Sequence, residues 1–523
     1  MDWLGLLGTL VVDASASWAR MFAALFISAI LAFIFGVLAA TSKTAEKIII
    51  PIVDILQTLP ILAFFPFVIA VFTIIEPPII GVNAAVVFLI ITSMLWNMIF
   101  GVYEAIKTLP SEFFEVTEIY HFDFWSRVRR LYIPAAYPRL VEQSILSWAI
   151  GLFYLVTSEI FSTGNKNYTV AYGIGSELVK LGASQNYAAY ILGIVVFVVF
   201  VILTRLLFFK PLEEHSTRYL RQLPVGNTAP TQLRQVFYNI LERGLKSPYV
   251  GRIRRVTKDI RIVKRHPMHL KEPQAESKEL NRLYILIVFL LAAFVVYIIA
   301  SNHVLLSDEL QILPALAFSF VRVWSAFLLI SLIAIPLCIY LVFIRKNTTK
   351  YLVLFQVLAS IPATIVLPLI VQGLHSNGEA VAFVIFFLSG LWYVVFGIIA
   401  STRTLPPNIF EVQRIFGIKG KLAWKNIYIK AIIPGFITGA LTGIAAEWNA
   451  SIVAEYFTAT GITGNTITTS VGVGIGKLLD TAISNTADFQ LMELALLNLV
   501  VMILILNTFV WKRAYRNVAK VYG

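Results

Sequence analysis

The sequence predicts an all-α polytopic membrane protein with about eleven transmembrane helices in two parallel repeats, and three observations carry that prediction. Apolar residues make up 58% of the 523 positions and charged residues only 14%, against roughly 45–50% and about 25% in soluble domains. Windows of about 20 apolar residues, long enough to cross roughly 30 Å of hydrocarbon, recur along the chain. A polar, proline-containing loop also occurs twice. It reads Leu109-Pro110-Ser111-Glu112-Phe113-Phe114-Glu115-Val116-Thr117, and again Leu405-Pro406-Pro407-Asn408-Ile409-Phe410-Glu411-Val412-Gln413. The offset of 296 between Glu115 and Glu411 recurs at Trp96 and Trp392, Gly101 and Gly397, Pro138 and Pro434, and Glu159 and Glu455. Apolar spans resemble one another by composition alone. Polar loops do not, so the match marks a repeat.

The first span is placed at 17–40, after a run from Trp3 to Val12 that is too short to cross and is expected in the interface. Met1-Asp2-Trp3 lacks the basic start of a cleaved signal peptide, so this span is expected to act as an uncleaved targeting signal. Spans at 48–73, 80–105, 139–160 and 186–209 complete a first repeat, residues 1–212. A basic cytoplasmic linker follows at 213–282. The second repeat, 283–523, has an extra leading helix at 283–301 and spans at 319–343, 351–373, 380–401, 434–457 and 490–511. The sole cysteine, Cys338, falls inside an apolar span and reads as a small hydrophobe, with no intrachain disulfide possible.

Charge fixes the expected topology. The chain carries +13, and between Arg205 and Arg282 alone 17 Lys and Arg stand against 7 Asp and Glu. Lys43, Lys47, Arg127, Arg129, Arg130, Arg345, Lys346, Lys350, Lys512, Arg513, Arg516 and Lys520 fall on the same side, the positive-inside pattern. Segments 76–83, 161–186, 302–313 and 458–488, poor in Lys and Arg, fall outside. Five crossings would invert the second repeat; the extra helix at 283–301 restores its orientation, which makes the repeats parallel. The linker is expected beside anionic membrane lipid. It lacks the aromatic-interleaved basic motifs of a nucleic-acid surface.

Within the first loop, Ser111 to Arg130 alternates acids, aromatics and bases at helical spacing, with Phe114, Ile119 and Phe122 as an apolar stripe beside Glu115, Glu118 and Arg129. Such a helix suits a groove in another subunit. In these residues the chain resembles the inner-membrane permeases of binding-protein-dependent ABC importers; at the outer helix ends Ala454-Glu455, with Ser158-Glu159 in the first repeat, resembles an Ala-Glu pair of the permeases of the nitrate, sulfonate and taurine type. Their cytoplasmic loop reads Glu-Ala-Ala, three residues, Gly, and ends in Leu-Pro. The first copy here gives Glu115-Val116-Thr117, then His121 in the Gly place, then Ile133-Pro134 and Pro138. The second gives Glu411-Val412-Gln413, Gly417 in place, Ile429-Lys430 where Leu-Pro belongs, then Pro434-Gly435. Leu59-Pro60-Ile61-Leu62-Ala63-Phe64-Phe65-Pro66 and Ile361-Pro362-Ala363-Thr364-Ile365-Val366-Leu367-Pro368 look like the family's Pro-containing second core helix. Arg20 and Arg322 share their offset of 302.

The resemblance implies a type I ABC permease-like fold and a multi-pass protein of the plasma membrane. It also implies two coupling helices, around Glu115 and Glu411, that dock on two ABC nucleotide-binding subunits, and an extracytoplasmic solute-binding protein outside. Glycine would ease a left-handed turn at the place of His121.

No catalytic chemistry is legible. Gly472-Val473-Gly474-Ile475-Gly476-Lys477-Leu478 is one residue too short for a phosphate loop and lacks the hydroxyl after its lysine. With Gly173-Ile174-Gly175-Ser176 it suggests a shared turn before a short helix. The six histidines are scattered and match no metal motif, so no cofactor or metal is expected. Intramembrane polar residues are the better leads. Glu447, Ser451 and Glu455 share one helix face, flanked by Trp448 and Asn449, and Glu159 is the first-repeat counterpart of Glu455. Either they line a translocation path or they fix the bundle by hydrogen bonds between helices. Gln57 and Gln356 are weaker leads of the same kind. Two carboxylates make a bare anion an awkward cargo unless Arg20, Arg322 or a proton offsets them. The function expected is a solute pathway that couples ATP hydrolysis on partner subunits to alternating access, the chain itself being no enzyme; the cargo is a small anion or organic solute. The alternatives are a secondary transporter driven by an ion gradient and a scaffold or passive pore.

Overall fold

The computed structural model describes the chain outside residues 1–2, 58, 76–77, 165–169, 223–302, 346–350, 352–354, 356–357, 360, 404–417, 419, 463, 485–487, 512 and 515–523. The first repeat opens with α1 (Trp3–Thr41), a single helix of 39 residues. The interfacial segment expected at Trp3–Val12 is therefore a continuation of the first span. No proline interrupts it, and its buried residues Leu10, Ala14, Ser17, Met21, Ala24 and Ser28 keep one helical stripe throughout. At 1.5 Å per residue α1 exceeds the hydrocarbon thickness, so its first turns project past the membrane core.

The span expected at 48–73 is not one helix. It divides into α2 (Lys43–Leu56), a tight turn at Ile61–Phe64 and α3 (Phe65–Ile75). Pro60 stands extended at the break, and a proline both withholds an N–H and disfavours helix in the residue before it. Then come α4 (Pro78–Lys107), α5 (Ser111–Ile119) and α6 (Phe124–Arg127), which leads through a wide turn at Val128–Tyr132 into α7 (Ile133–Gly164). The short α8 (Ile174–Ala183), α9 (Tyr187–Leu203) and α10 (Lys210–Gln222) complete the described first repeat.

The second repeat follows the same plan. It contains α11 (His303–Ile339), α12 (Leu367–Gly373), α13 (Gly378–Arg403), α14 (Gly420–Ala423) and α15 (Ile429–Glu455). A hairpin of β1 (Tyr456–Thr460) and β2 (Thr466–Ser470) precedes α16 (Ile475–Ser484) and α17 (Phe489–Leu506). The strands are antiparallel, with Thr458 opposite Thr468. A wide turn at Trp424–Tyr428 stands 296 residues after the one at Val128–Tyr132, so the repeat extends to this irregularity. The span expected at 351–373 is also broken: residues 361–366 are turn, and helix resumes only at Leu367. Eight of the described helices are long and apolar enough to cross a membrane. Of the about eleven expected, the segments at 48–73 and 351–373 are broken at proline into shorter helices, and the helix expected at 283–301 lies outside the described residues.

Helices α13 and α15 of the second repeat approach one another through glycines. A Cβ on Gly435 would meet the Gly397 carbonyl oxygen at 2.1 Å, and one on Gly439 the Tyr393 oxygen at 2.6 Å. Gly435, Gly439 and Gly443 repeat every fourth residue, the small-residue spacing that lets membrane helices approach backbone to backbone. A single large apolar cluster joins both repeats, with Leu62, Leu155, Leu181, Leu367 and Ile452 among its members. Ser184, just after α8, accepts a hydrogen bond from Ile462 N of the hairpin at 2.7 Å. The ends of α7 and α15 that carry Glu159 and Glu455 therefore lie at the same end of the molecule, and the repeats run parallel.

Candidate functional site

Three places hold the candidate residues: a pair of buried clasps, the seam between the repeats, and the loop at the opposite end.

In the first clasp, Ser17 and Arg20 sit one turn apart on α1 and so share a face. Both donate to Glu159 Oε1, Ser17 Oγ at 2.7 Å and Arg20 Nη1 at 2.6 Å. Gly175 N, in the first turn of α8, donates to Glu159 Oε2 at 2.8 Å, and Ile174 N donates to Ser17 Oγ at 3.0 Å. The second clasp repeats this atom for atom. Ser319 Oγ and Arg322 Nη1 donate to Glu455 Oε1 at 2.5 and 3.2 Å, Gly476 N to Glu455 Oε2 at 2.7 Å, and Ile475 N to Ser319 Oγ at 2.9 Å. Glu159 and Glu455 are wholly buried. Their negative charge lies against a helix N-terminus, where unpaired N–H groups favour an anion. This explains the glycine-rich runs: a Cβ on Gly173 would come within 2.7 Å of the Glu159 carboxyl carbon, and one on Gly474 within 2.6 Å of that of Glu455. The protein's own carboxylate fills the place that a phosphate takes in a phosphate loop.

The clasps differ in the outer half of the arginine. Arg20 Nε donates to Asn83 Oδ1 at 2.7 Å and its Nη2 to the Tyr172 carbonyl. At the equivalent place, 296 residues on, Glu379 takes Arg322 in a fork, with Nε at 2.6 Å and Nη2 at 2.7 Å. Arg20 thus has one carboxylate partner and Arg322 has two. Sequence reasoning passed over Ser17, Ser319, Asn83 and Glu379; the repeated Ser-x-x-Arg at the offset of 302 was the available signal.

Glu447, Ser451 and Glu455 keep their common face on α15, and that face turns into their own repeat. Ser451 is buried and donates to Trp448 O at 2.8 Å. Glu447 lies against Gly390 and Ile330. Neither its carboxyl oxygens nor Trp448 Nε1 has a hydrogen-bond partner. Asn449 faces the other way. Its Oδ1 accepts from Leu62 N in the proline break of the first repeat at 3.4 Å. The counterpart of Leu62 is Thr364, whose Oγ1 lies 3.4 Å from Thr157 Oγ1 on α7. Each repeat therefore lays its broken helix on the fourth core helix of the other. Beside this seam Tyr190 donates to the Ile365 carbonyl, and Gln372 Nε2 donates to Gly182 O at 2.7 Å. Gln57 lies apart, donating to Asp54 Oδ1 at 3.1 Å, and Gln356 is outside the described residues.

At the other end, α5 sits on an apolar pedestal of Val37, Val102, Ile106, Leu109, Leu131 and Ala135, with Phe113 and Phe114 packed against it. The apolar stripe expected of Phe114, Ile119 and Phe122 is thereby divided, because Phe114 turns inward while Ile119 is 72% exposed. Glu115 is exposed, Val116 is largely so, and Thr117 is buried, donating to Phe114 O at 2.8 Å. His121 takes φ 49°, the left-handed conformation that glycine would adopt there. Tyr120, Phe124 and Trp125 add an exposed aromatic surface that the sequence reading left out. Pro134 lies in the first turn of α7 and Pro434 near the start of α15. Glu411, Val412, Gln413 and Gly417 lie outside the described residues. Beneath α5, Glu46 on α2 accepts from Lys107 Nζ at 2.6 Å and from Tyr103. Burial alone would raise its carboxyl, but these two donors outweigh it and hold it below the ordinary glutamate range. Among the described residues no three His, Cys, Asp or Glu gather to hold a metal.

Residues 12–209 and 345–518 match the family of binding-protein-dependent transport system inner membrane components. The chain belongs to that family. It is 29% identical over 102 residues to the nitrate import permease protein NrtB of Synechocystis sp., covering 20% of this chain and 37% of that one. An ABC transporter permease protein of Methanocaldococcus jannaschii is 28% identical over 134 residues, 26% of this chain and 50% of that one. NrtB of Leptolyngbya laminosa is 24% identical over 157 residues, 30% and 51%. The matches thus span about half or less of each relative. The protein is a multi-pass inner-membrane transport component, and its two family matches correspond to the two repeats. The structure carries the second repeat further than its match: Ser319 and Arg322 on α11 precede residue 345 and occupy the places of Ser17 and Arg20.

Proposed function

We propose that this chain supplies both membrane halves of a binding-protein-dependent ABC importer, forming the solute pathway and coupling ATP hydrolysis on two partner subunits to alternating access. The observation that carries the reading is the doubled architecture within a family of transport components: two clasps, two proline breaks crossing one seam, and the coupling loop in register. The exposed Glu115, Val116, Ile119, Phe124 and Trp125 form the surface on which one nucleotide-binding subunit docks. The corresponding stretch around Glu411 serves the other. An extracytoplasmic solute-binding protein delivers cargo at the clasp end.

The seam is the translocation path, with Thr157, Thr364 and Asn449 as its polar contacts. The clasps remove the objection to an anionic cargo. Glu159 and Glu455 are neutralised within their own repeats, and the seam offers hydroxyl, amide and backbone N–H groups without a carboxylate. A small oxyanion fits these donors, in keeping with the nitrate permeases among the relatives. The clasps themselves are positioning elements that pin α8 and α16 at the outer mouth.

The test is reconstitution of the chain with its nucleotide-binding subunits and binding protein in liposomes, with uptake of isotopically labelled nitrate followed with and without enclosed ATP. ATP-dependent uptake, reduced by Thr157→Val with Thr364→Val, is expected. Uptake that persists without ATP and collapses with an ionophore would identify a secondary transporter instead.

A further inference from the structure

Glu447 is a buried carboxyl of the described membrane interior for which neither the clasps nor the seam gives a use. It is wholly buried in the middle of α15, and neither carboxyl oxygen meets a donor. Gly390 and Ile330 lie beside it. A Cβ on Gly390 of α13 would lie 2.2 Å from Glu447 Oε1 and 2.9 Å from Ile330 Cδ1 of α11, so the absent side chain of Gly390 is the space that the carboxyl fills.

The first repeat fills the equivalent space differently. The counterpart of Glu447 is Gly151, and that of Gly390 is Met94. There the size relation is reversed: a Cβ on Gly151 would come within 2.2 Å of Met94 Cε. A thioether on one helix facing a glycine has become a carboxyl on the other helix facing a glycine. Of the two equivalent contacts, the one in the second repeat carries an ionisable group.

We infer that Glu447 is a proton-binding site in the membrane interior of the second repeat, occupied in this conformation as a neutral carboxylic acid. An ionised carboxylate without a partner is among the costliest groups to bury, and such a group neutralises instead. No charged or titratable group of the elements packed against α15 is hydrogen-bonded to Glu447. On α11, Arg322 is held by Glu379 and Glu455, and Glu309 accepts from Asn498. On α13, Glu379 belongs to that fork; Tyr393, three residues beyond Gly390, makes no hydrogen bond to Glu447. On α16, Lys477 donates to the carbonyls of Val471 and Gly472, while Asp480 has contacts of its own. On α15 itself, Glu455 is spent on the clasp, and the turn Ile61–Phe64 that crosses α15 carries no ionisable side chain.

The consequence is a proton-sensitive helix contact. Release of the proton to water leaves a carboxylate that must leave the Gly390 niche, which separates α13 from α15 at their glycine-lined crossing. The first repeat, with Gly151 and Met94, has no such response.

Infrared spectroscopy of the purified full chain in lipid nanodiscs reads the protonation state directly and does not depend on transport. A carboxylic-acid carbonyl band at neutral pH that disappears in Glu447→Gln is expected. Superimposed wild-type and Glu447→Gln spectra in that region would overturn the inference, including the case of an ionised Glu447 holding a sodium ion. Because Gln keeps the shape of the neutral acid, the variant should fold. Should it not, Glu447→Leu, of similar volume and without the carboxyl, is read in the same way; in the wild type the band assigned by the difference must shrink as pH rises, the protonated fraction falling about tenfold per pH unit beyond the midpoint. In the reconstituted transporter, uptake should fall toward alkaline pH in the wild type and not in Glu447→Gln; equal pH profiles would refute a role for the proton in transport.

Discussion

Neutralising one carboxylate in each clasp should have unequal effects, although the two sites share their geometry. Glu159→Gln removes the only carboxylate bonded to Arg20 among the described residues; Arg20 is 9% exposed and retains Asn83 and the Tyr172 carbonyl as neutral acceptors. Asp13, another acid on α1, accepts from Gly173 N at 3.2 Å and makes no ion pair with Arg20 among the described residues. Breaking a buried pair and stranding its charge costs about 3–5 kcal/mol. Glu455→Gln removes the same carboxylate from Arg322, but the fork to Glu379 persists at 2.6 and 2.7 Å. What is lost there is one charge-assisted hydrogen bond, about 1.5–3 kcal/mol. Glu159→Gln should therefore lower the thermal midpoint of the detergent-solubilised chain by clearly more than Glu455→Gln, with aggregation followed by fluorescence-detected size exclusion. Adding Glu379→Gln to Glu455→Gln should cost more than Glu379→Gln alone, because only the double variant strands the arginine. Equal midpoints for the two single variants, or strict additivity in the second clasp, would refute the argument that residual pairing sets the cost.

Other outcomes follow from the opposite end. Val116→Asp with Ile119→Asp should reduce ATP-dependent uptake at least about tenfold, equivalent to about 1.4 kcal/mol of docking energy, while expression and thermal midpoint stay unchanged. His121→Gly should leave coupling intact or slightly raise stability, whereas His121→Val should impair it, because a β-branched residue resists φ 49°; limited proteolysis of the loop distinguishes them. The bond network of Glu46 gives a pH dependence of known sign. Its carboxyl is held below the ordinary value of 4.5, so its stabilisation is present above that value and is lost as pH falls below it. Glu46→Gln should flatten the thermal midpoint of the chain across that acidic window. Gly397→Leu should separate α13 from α15, since even a Cβ there would meet the Gly435 oxygen at 2.5 Å; overpacking of this kind costs about 1–3 kcal/mol, read as a lower midpoint.

The sequence by itself determined the class and the repeat. Hydropathy has one dominant cause, the cost of polar backbone in lipid, so helices of spanning length are legible from local composition. The 296-residue offset was legible because polar loops do not match by chance. It also carried the wide turns and the clasp glutamates. The sequence did not show the helix breaks at Pro60 and Pro362, where apolar composition continues through a break that only backbone geometry registers.

Tertiary structure alone decided what each buried polar residue does. Glu447, Ser451 and Glu455 share a face by spacing, but spacing cannot say whether that face meets a pathway, an arginine or a glycine. Glu455 found Arg322 from a helix 133 residues earlier. Asn449, two positions from Glu447, found the other repeat. Glu447 found nothing. A periodic pattern fixes direction around a helix axis; the neighbour in that direction, and so the chemistry, comes from how the helices cross.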